Sequence, residues 1–445
     1  MATRISALVG IWLIVSLFCN DTTNYGTIHF GINIRLDRIA YAAIIIQFLS
    51  NYRLSGRKVR WILEEKLMVA FFLILLVSCF LGGGAYAKYN RYLGKLFSFS
   101  FVPATIFMIA RRLDFDPSSQ RVLWKMLLII SSYLGITGLF EHWHVNALIF
   151  PKYILNPNFG LHPDRVRGPF VQAAVMGGVL TLLAFWILWY HFSVRKSSLT
   201  WVVLPPLLAS IYFTNTRGVW VGFAASAMVM ACFPNVLRRW IVWGGILLIV
   251  VYFSGAASKF SAYKASLFKQ REAQIDDRLN IYYASWRMFC ERPLVGFGYG
   301  NYEKLSDGYF AELPGVEMRG MGEGQHHTIL GLMCETGLAG TIPFCAIYFL
   351  FFRTCYRLYL NSQGLDEQRR SFGVTLLAIL GGNVVSMQFS DFGFYHFIND
   401  LTFWLTGLLY SMAETLPNQA SALNHEFQEE LAPTELPRLE DHANA

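Results

Sequence analysis

The sequence predicts an all-α integral membrane protein of about twelve transmembrane helices, with one large outer loop carrying short amphipathic helices. Three observations predict it. The composition is 54% hydrophobic and 15% charged with a mean hydropathy of +0.39, more apolar surface than a soluble chain of 445 residues can hide. Apolar windows long enough to cross a bilayer recur along the chain. The basic residues between those windows collect on one side.

The windows fall at 5–20, 37–51, 63–85, 95–111, 122–140, 169–192, 198–213, 218–234, 238–254, 326–352, 371–389 and 394–413. The first has a short basic start like a signal peptide. It lacks a small-x-small cleavage site and more spans follow, so it reads as a retained span. With the amino terminus inside, 19 of the 37 Lys and Arg lie in inner segments and nine in short outer loops. The other nine lie in the long segment 255–325, which the positive-inside rule largely exempts. Both termini are then inside, and residues 141–168 and 255–325 are outside. Residues 1–413 form the membrane domain. From Glu414 the tail carries seven acidic residues and one Arg, and is expected to be a disordered extension on the inner side.

Composition also excludes several functions. Seven cysteines, none in a CxxC pair and most in or beside apolar windows, give neither a disulfide framework nor metal spacing. The isoelectric point near 9.0 reports membrane topology before any nucleic-acid partner. Gly296, Gly298 and Gly300 are not followed by Gly-Lys-Ser/Thr, so they form no nucleotide-binding loop.

Within the large loop, Asp276 and Asp277 read as an N-cap for a helix over 278–290, with Leu279, Tyr282, Trp286 and Phe289 on one face. Such a helix would lie on the outer membrane surface or cap a cavity. Pro293 stops it, and Gly296-Phe-Gly-Tyr-Gly300-Asn301 reads as a tight, flexible turn.

Three charged patches fall on the outer side: Arg217 in Thr214-Asn-Thr-Arg-Gly-Val-Trp220, Arg278, and His326 in Gln325-His-His-Thr328. Ionisable groups at the ends of apolar segments are costly to keep, and two guanidinium groups with an imidazole suit an anionic head group with a proton acceptor beside it. Each also has a plainer reading: a snorkelling Arg217, a solvated Arg278 among eight other basic residues, an anchoring His326. Arg165 and Arg167 either add to the anion site or border it. Small residues follow Arg217 (Gly222, Ala224, Ala225, Ser226, Ala227) and suit close helix packing. Glu335 lies nine residues beyond His326 and reads as a buried structural carboxylate. Glu141-His142-Trp-His144 reads as structural, because a metal needs more ligands than this segment supplies.

Taken as an ordered set, these patches resemble the O-antigen ligase and polymerase superfamily. The resemblance covers about residues 200–345. It is carried by Thr214 to Trp220, by Arg278 with Trp286 and Pro293-Leu-Val-Gly-Phe-Gly-Tyr-Gly-Asn301, and by His326 with Leu330, Glu335, Gly337, Leu338 and Gly340. The family usually has Asn after the histidine, where this chain has His327; counting back from Glu335 selects His326. The resemblance implies a GT-C-like glycosyltransferase in a bacterial inner membrane, multi-pass, with its active site facing the periplasm. It further implies inverting, metal-independent transfer of a glycan from an undecaprenyl-diphosphate carrier to a hydroxyl of a surface glycolipid or polysaccharide, with no cofactor, nucleotide or nucleic acid. Arg217 and Arg278 would hold the diphosphate, with Arg165, Arg167 and His327 as further contacts to diphosphate or glycan. His326 would orient or deprotonate the acceptor. The rival readings are a polysaccharide polymerase of the same superfamily and a non-enzymatic exporter or flippase of lipid-linked glycans.

Overall fold

The computed structural model describes residues 2–19, 25–30, 32–55, 60–81, 93–113, 116–160, 162–233, 264–361 and 367–414, with positions 238, 239, 241, 242 and 244. These form a nearly all-α bundle. Its helices are α1 (Ala2–Phe18), α2 (Leu36–Ser55), α3 (Leu63–Leu81), α4 (Leu93–Arg111), α5 (Pro117–His142), α6 (Ala173–Ser193), α7 (Leu199–Phe213) and α8 (Arg217–Cys232). There follow α9 (Lys264–Glu291), α10 (Thr328–Asn361), α11 (Glu367–Ser386) and α12 (His396–Glu414). A small antiparallel hairpin of β1 (Thr27–Phe30) and β2 (Ile32–Arg35), not expected from the sequence, precedes α2.

Helices α4, α5, α6 and α10 are long and apolar enough to cross a membrane, and α1, α7 and α8 are shorter apolar helices. The chain is a multi-pass membrane protein. Every expected window except 238–254 falls on a helix; that window lies outside the described residues but for isolated positions, as do 82–85 and tail residues 415–445.

Helix α6 is the central element: 83% of its apolar window is buried, with Trp186 and Trp189 enclosed. Neighbouring helices approach through small residues, because without a water-driven attraction in lipid close packing must hold them together. On α8 the seam is Gly218, Gly222 and Ser226, set against Phe389 and against Ser386 and Gly382 of α11. Gly407 of α12 lies against Phe107 and Ala110 of α4 in the same way.

One end of the bundle is tied by charge. Glu65 of α3 is fully buried and pairs with Arg111 at 3.0 Å, while Arg112 donates to its other oxygen at 2.9 Å. Arg111 also reaches Glu414 at 2.7 Å, so α3, α4 and α12 end together.

Towards the other end, α10 is broken at Gly337, whose φ of 61° and ψ of −158° leave the helical region. A break at membrane depth frees backbone groups that lipid cannot satisfy. The segment 293–298 satisfies them. Phe297 and Gly298 donate to the carbonyls of Cys334 and Glu335 at 3.1 and 2.8 Å, and Leu338 and Ala339 donate to Pro293 and Leu294 at 2.8 and 3.0 Å. The expected flexible turn is therefore locked onto α10.

Helix α9 differs from expectation in two ways. It begins at Lys264, because no Gly or Pro interrupts the chain from there, so Asp276 and Asp277 are internal and cap nothing. Its packed stripe is Ile281, Ala284, Ser285 and Met288, whereas Leu279 and Trp286 stay exposed. Both sides of this helix carry apolar residues, and the second side is the one that packs against the protein.

A Cβ at Gly296 would lie 2.4 Å from the backbone carbon of Glu335, at a φ of +65°. Gly296→Ala should therefore destabilise the protein by about 2–3 kcal/mol, from overpacking plus strain. Thermal melting in detergent checks this against Gly308→Ala, where nothing lies within 4 Å of the added carbon. Equal melting of the two variants would refute the lock.

Candidate active site

Tight turns build this end of the bundle. Between α7 and α8, Asn215 takes φ 47° and the Thr216 hydroxyl donates to the Thr214 carbonyl at 2.9 Å. Trp220 stacks on Tyr212 at 5.6 Å and its indole N–H donates to the Ile211 carbonyl at 3.2 Å. Arg217 is thereby the first residue of α8, exposed, where the unpaired amides of a helix N-terminus also attract anions.

The loop 143–172 brings a second cation. Arg165 is half-buried, and its Nε is enclosed without a hydrogen-bond partner. Burial holds its pKa below the ordinary value; Asp164 pulls it up, and Arg278 and Arg217 both push it further down. Arg165 thus lies within electrostatic reach of two of the three motifs. His162, in a left-handed turn (φ 54°) whose carbonyl accepts from the Arg165 amide at 3.1 Å, adds the third. Burial and Arg165 lower its pKa, with further contributions from His326 and Arg278, against the pull of Asp164. Electrostatics thus link Arg165 to Arg278 and Arg217, and His162 to His326 and Arg278.

Arg167 does not join them. Its side chain is 2% exposed and is spent on the loop, donating to the carbonyls of Ile154 and Asn156 at 2.9 Å each and of Phe159 at 2.5 Å. Glu141 accepts from the amides of Arg167 and Gly168 at 3.0 and 2.9 Å. Arg167 shapes the loop that presents Arg165, which favours the reading in which it borders the anion site. His142 lies flat on Phe213 at 3.6 Å, in keeping with its structural reading.

Arg278 is half-buried on α9, one turn before Tyr282. The Tyr282 hydroxyl donates to the Gln388 carbonyl at 2.7 Å; burial raises its pKa and Arg278 opposes this. Tyr395, pushed up to about 12 by burial and likewise eased by Arg278, accepts from the Gln172 amide at 3.3 Å. The start of α10 is fixed from the same loop: the Thr328 hydroxyl donates to Ser390 at 2.7 Å and accepts from the Phe392 amide at 2.9 Å.

The two histidines have separate places. His326 is half-buried with its Nε2 at 3.4 Å from Glu323. His327 is the N-cap of α10: its Nδ1 accepts the Leu330 amide at 3.1 Å, and its ring meets Tyr282 edge-on at 5.4 Å. Asn, which the resemblance leads one to expect here, is a strong N-cap by the same acceptor chemistry. Glu335 is buried beneath, accepting the Tyr302 amide at 3.2 Å, close to the Lys95–Asp391 ion pair at 2.9 Å.

Sequence reasoning missed His162 and Glu323. His162 lay in an outer segment already flagged, and Glu323 sits three residues before His326, a helix-like spacing visible in the chain. Lys95, one of the nine basic residues counted in the short outer loops, is paired with Asp391 and lies over the Tyr299 ring at 5.6 Å.

Burial lowers the His327 pKa below its ordinary 6.5. The unfolded chain therefore binds this proton more readily, and the stability contributed by the neutral cap is lost as pH falls through about 6.5 and below. His327→Asn should flatten this part of the pH–melting curve, and His327→Ala should cost about 1 kcal/mol at neutral pH. An unchanged curve in the Asn variant would remove the cap assignment.

Among curated proteins none matches the chain. A family model described as O-antigen ligase matches residues 202–345, from α7 to the site-side half of α10, and so includes Arg217, Arg278, His326 and His327. That match falls on the segment carrying all three motifs, so this part of the chain is similar to the O-antigen ligase family.

Proposed function

We propose that this protein transfers a glycan from an undecaprenyl-diphosphate carrier to an acceptor hydroxyl of a surface glycolipid or polysaccharide, at the periplasmic face of a bacterial inner membrane. What supports the reading is the electrostatic link of Arg165 with Arg217 and Arg278, and of the neighbouring His162 with Arg278 and His326. Three guanidinium groups match a diphosphate in charge, and their planar forks suit its oxygens.

In this reading the acceptor oxygen attacks the anomeric carbon from the face opposite the diphosphate. The carbon–oxygen bond to the diphosphate breaks, its electron pair stays on the diphosphate oxygen, and the configuration inverts. Charge grows on that oxygen as the bond lengthens, so the arginines act most strongly in the transition state. The hydroxyl proton passes to His326. With its Nε2–H directed to Glu323, Nδ1 is the nitrogen left to accept it. The carrier leaves as undecaprenyl diphosphate. Energy stored in the sugar–diphosphate bond drives the transfer.

A polymerase uses the same residues and differs in its acceptor, a growing glycan. Reconstitution of the purified protein with undecaprenyl-diphosphate glycan and each acceptor separates the two. Transfer should fall roughly 10- to 150-fold in Arg217→Ala and in Arg278→Ala, with partial rescue by lysine. Arg287→Ala is the control, since that guanidinium donates to the Tyr309 carbonyl at 2.8 Å. His326→Ala should abolish transfer while donor binding persists, and His327→Asn should stay active. Normal transfer by His326→Ala would rule out the histidine base, and no transfer by the wild type to either acceptor would favour the exporter.

Orientation is tested separately. Alkaline phosphatase fused at Lys304 should be active, and fused at Arg195, in the α6–α7 turn, inactive. The reverse pattern would put the site on the cytoplasmic side and end the periplasmic reading.

A further inference from the structure

A groove of about 400 Å3 opens on the flank of the bundle between α3 and the site-side half of α10. Leu73, Ile74 and Val77 of α3 form one wall, and Thr336 and Ala339 of α10 the other. The segment 295–298 closes one side, where Gly296 and Gly298 present only backbone, and Arg292 stands at the edge. The surroundings face hydrocarbon: Phe80, Leu294 and Ile342 are 57%, 68% and 60% exposed.

Depth and charge identify the occupant. Ala339 lies 14 residues from Arg353 on α10, a rise of about 21 Å, which sets the groove in the leaflet on the site's side. Arg292 is exposed, rests on the Phe297 ring at 4.6 Å, and forms no ion pair among the described residues. A lipid-facing guanidinium at that level is stable when an anionic head group meets it. The groove is also separate from the cation cluster. Thirteen residues of α9 divide Arg278 from Glu291, about 20 Å of helix.

We infer that this groove holds one acyl chain of an anionic bilayer phospholipid, with its phosphate on Arg292. The chain fills the space beside the break in α10 and braces the glycine segment from the lipid side. This site stands independently of the transfer reaction, since none of its residues belongs to the proposed site.

Native mass spectrometry of the purified protein, titrated with phosphatidylglycerol or phosphatidylcholine, tests it. The wild type should retain one phosphatidylglycerol with a preference of about tenfold over phosphatidylcholine. Arg292→Ala should lose that preference and Arg287→Ala keep it. Val295→Trp should fill the groove and lower retention of both lipids; Leu73→Trp fills it from α3 if the first variant does not accumulate. Equal retention of the two lipids by the wild type, or a preference that survives Arg292→Ala, overturns the inference. Displacement of the retained lipid by equimolar undecaprenyl phosphate also overturns it, because the groove would then belong to the carrier.

Discussion

The break in α10 at Gly337 is the constraint on which the site-side half of the molecule depends. A helix interrupted inside a membrane exposes carbonyls and amides that no water can reach, and each must find a partner. Four backbone hydrogen bonds from 293–298 supply them. That docking holds the end of α9 against α10, so Tyr282 meets His327 and Arg278 arrives at the level of the histidines. Gly296 and Gly337 are needed because the two backbones approach too closely for any side chain, each at a positive φ. Ser78 of α3 joins the same knot, its hydroxyl accepting the Tyr299 amide at 3.0 Å.

The cation cluster is costly to assemble. Like charges brought together in surroundings of lower dielectric than water repel one another. The fold meets this by spending its rigid interactions on the scaffold and leaving the site cations little engaged. Arg167 spends both terminal nitrogens on loop carbonyls, whereas Arg165 makes no such side-chain hydrogen bonds among the described residues. At the far end of the bundle a different arrangement holds: Arg111 and Arg112 share the buried Glu65, and Arg111 also reaches Glu414, so these charges are spent on joining helices.

The motifs Thr214 to Trp220, Arg278 and Gln325 to Thr328 were readable because each sits where an apolar run stops, and polar groups there stand out against hydrocarbon. His327 was ambiguous in sequence. Its role as a cap became visible only with the Leu330 amide at 3.1 Å from its Nδ1. Arg165 and Arg167, two residues apart and chemically identical, were indistinguishable until the loop carbonyls around one of them were placed. On α9 two apolar faces compete, and only the neighbours of Ile281 and Met288 decide which is packed.

Sequence by itself determined the membrane class, the positions of most helices and the order of the charged motifs. Those properties follow from local hydropathy and from side-chain charge, which are written residue by residue. Tertiary structure decided which of those charges share a site, which are spent on the scaffold, and that a glycine-rich turn is the partner of a broken helix. Such facts depend on segments such as 162–165, 217, 278 and 326 meeting across the bundle, and contact between distant segments is set by packing and by the need to pair every buried backbone group.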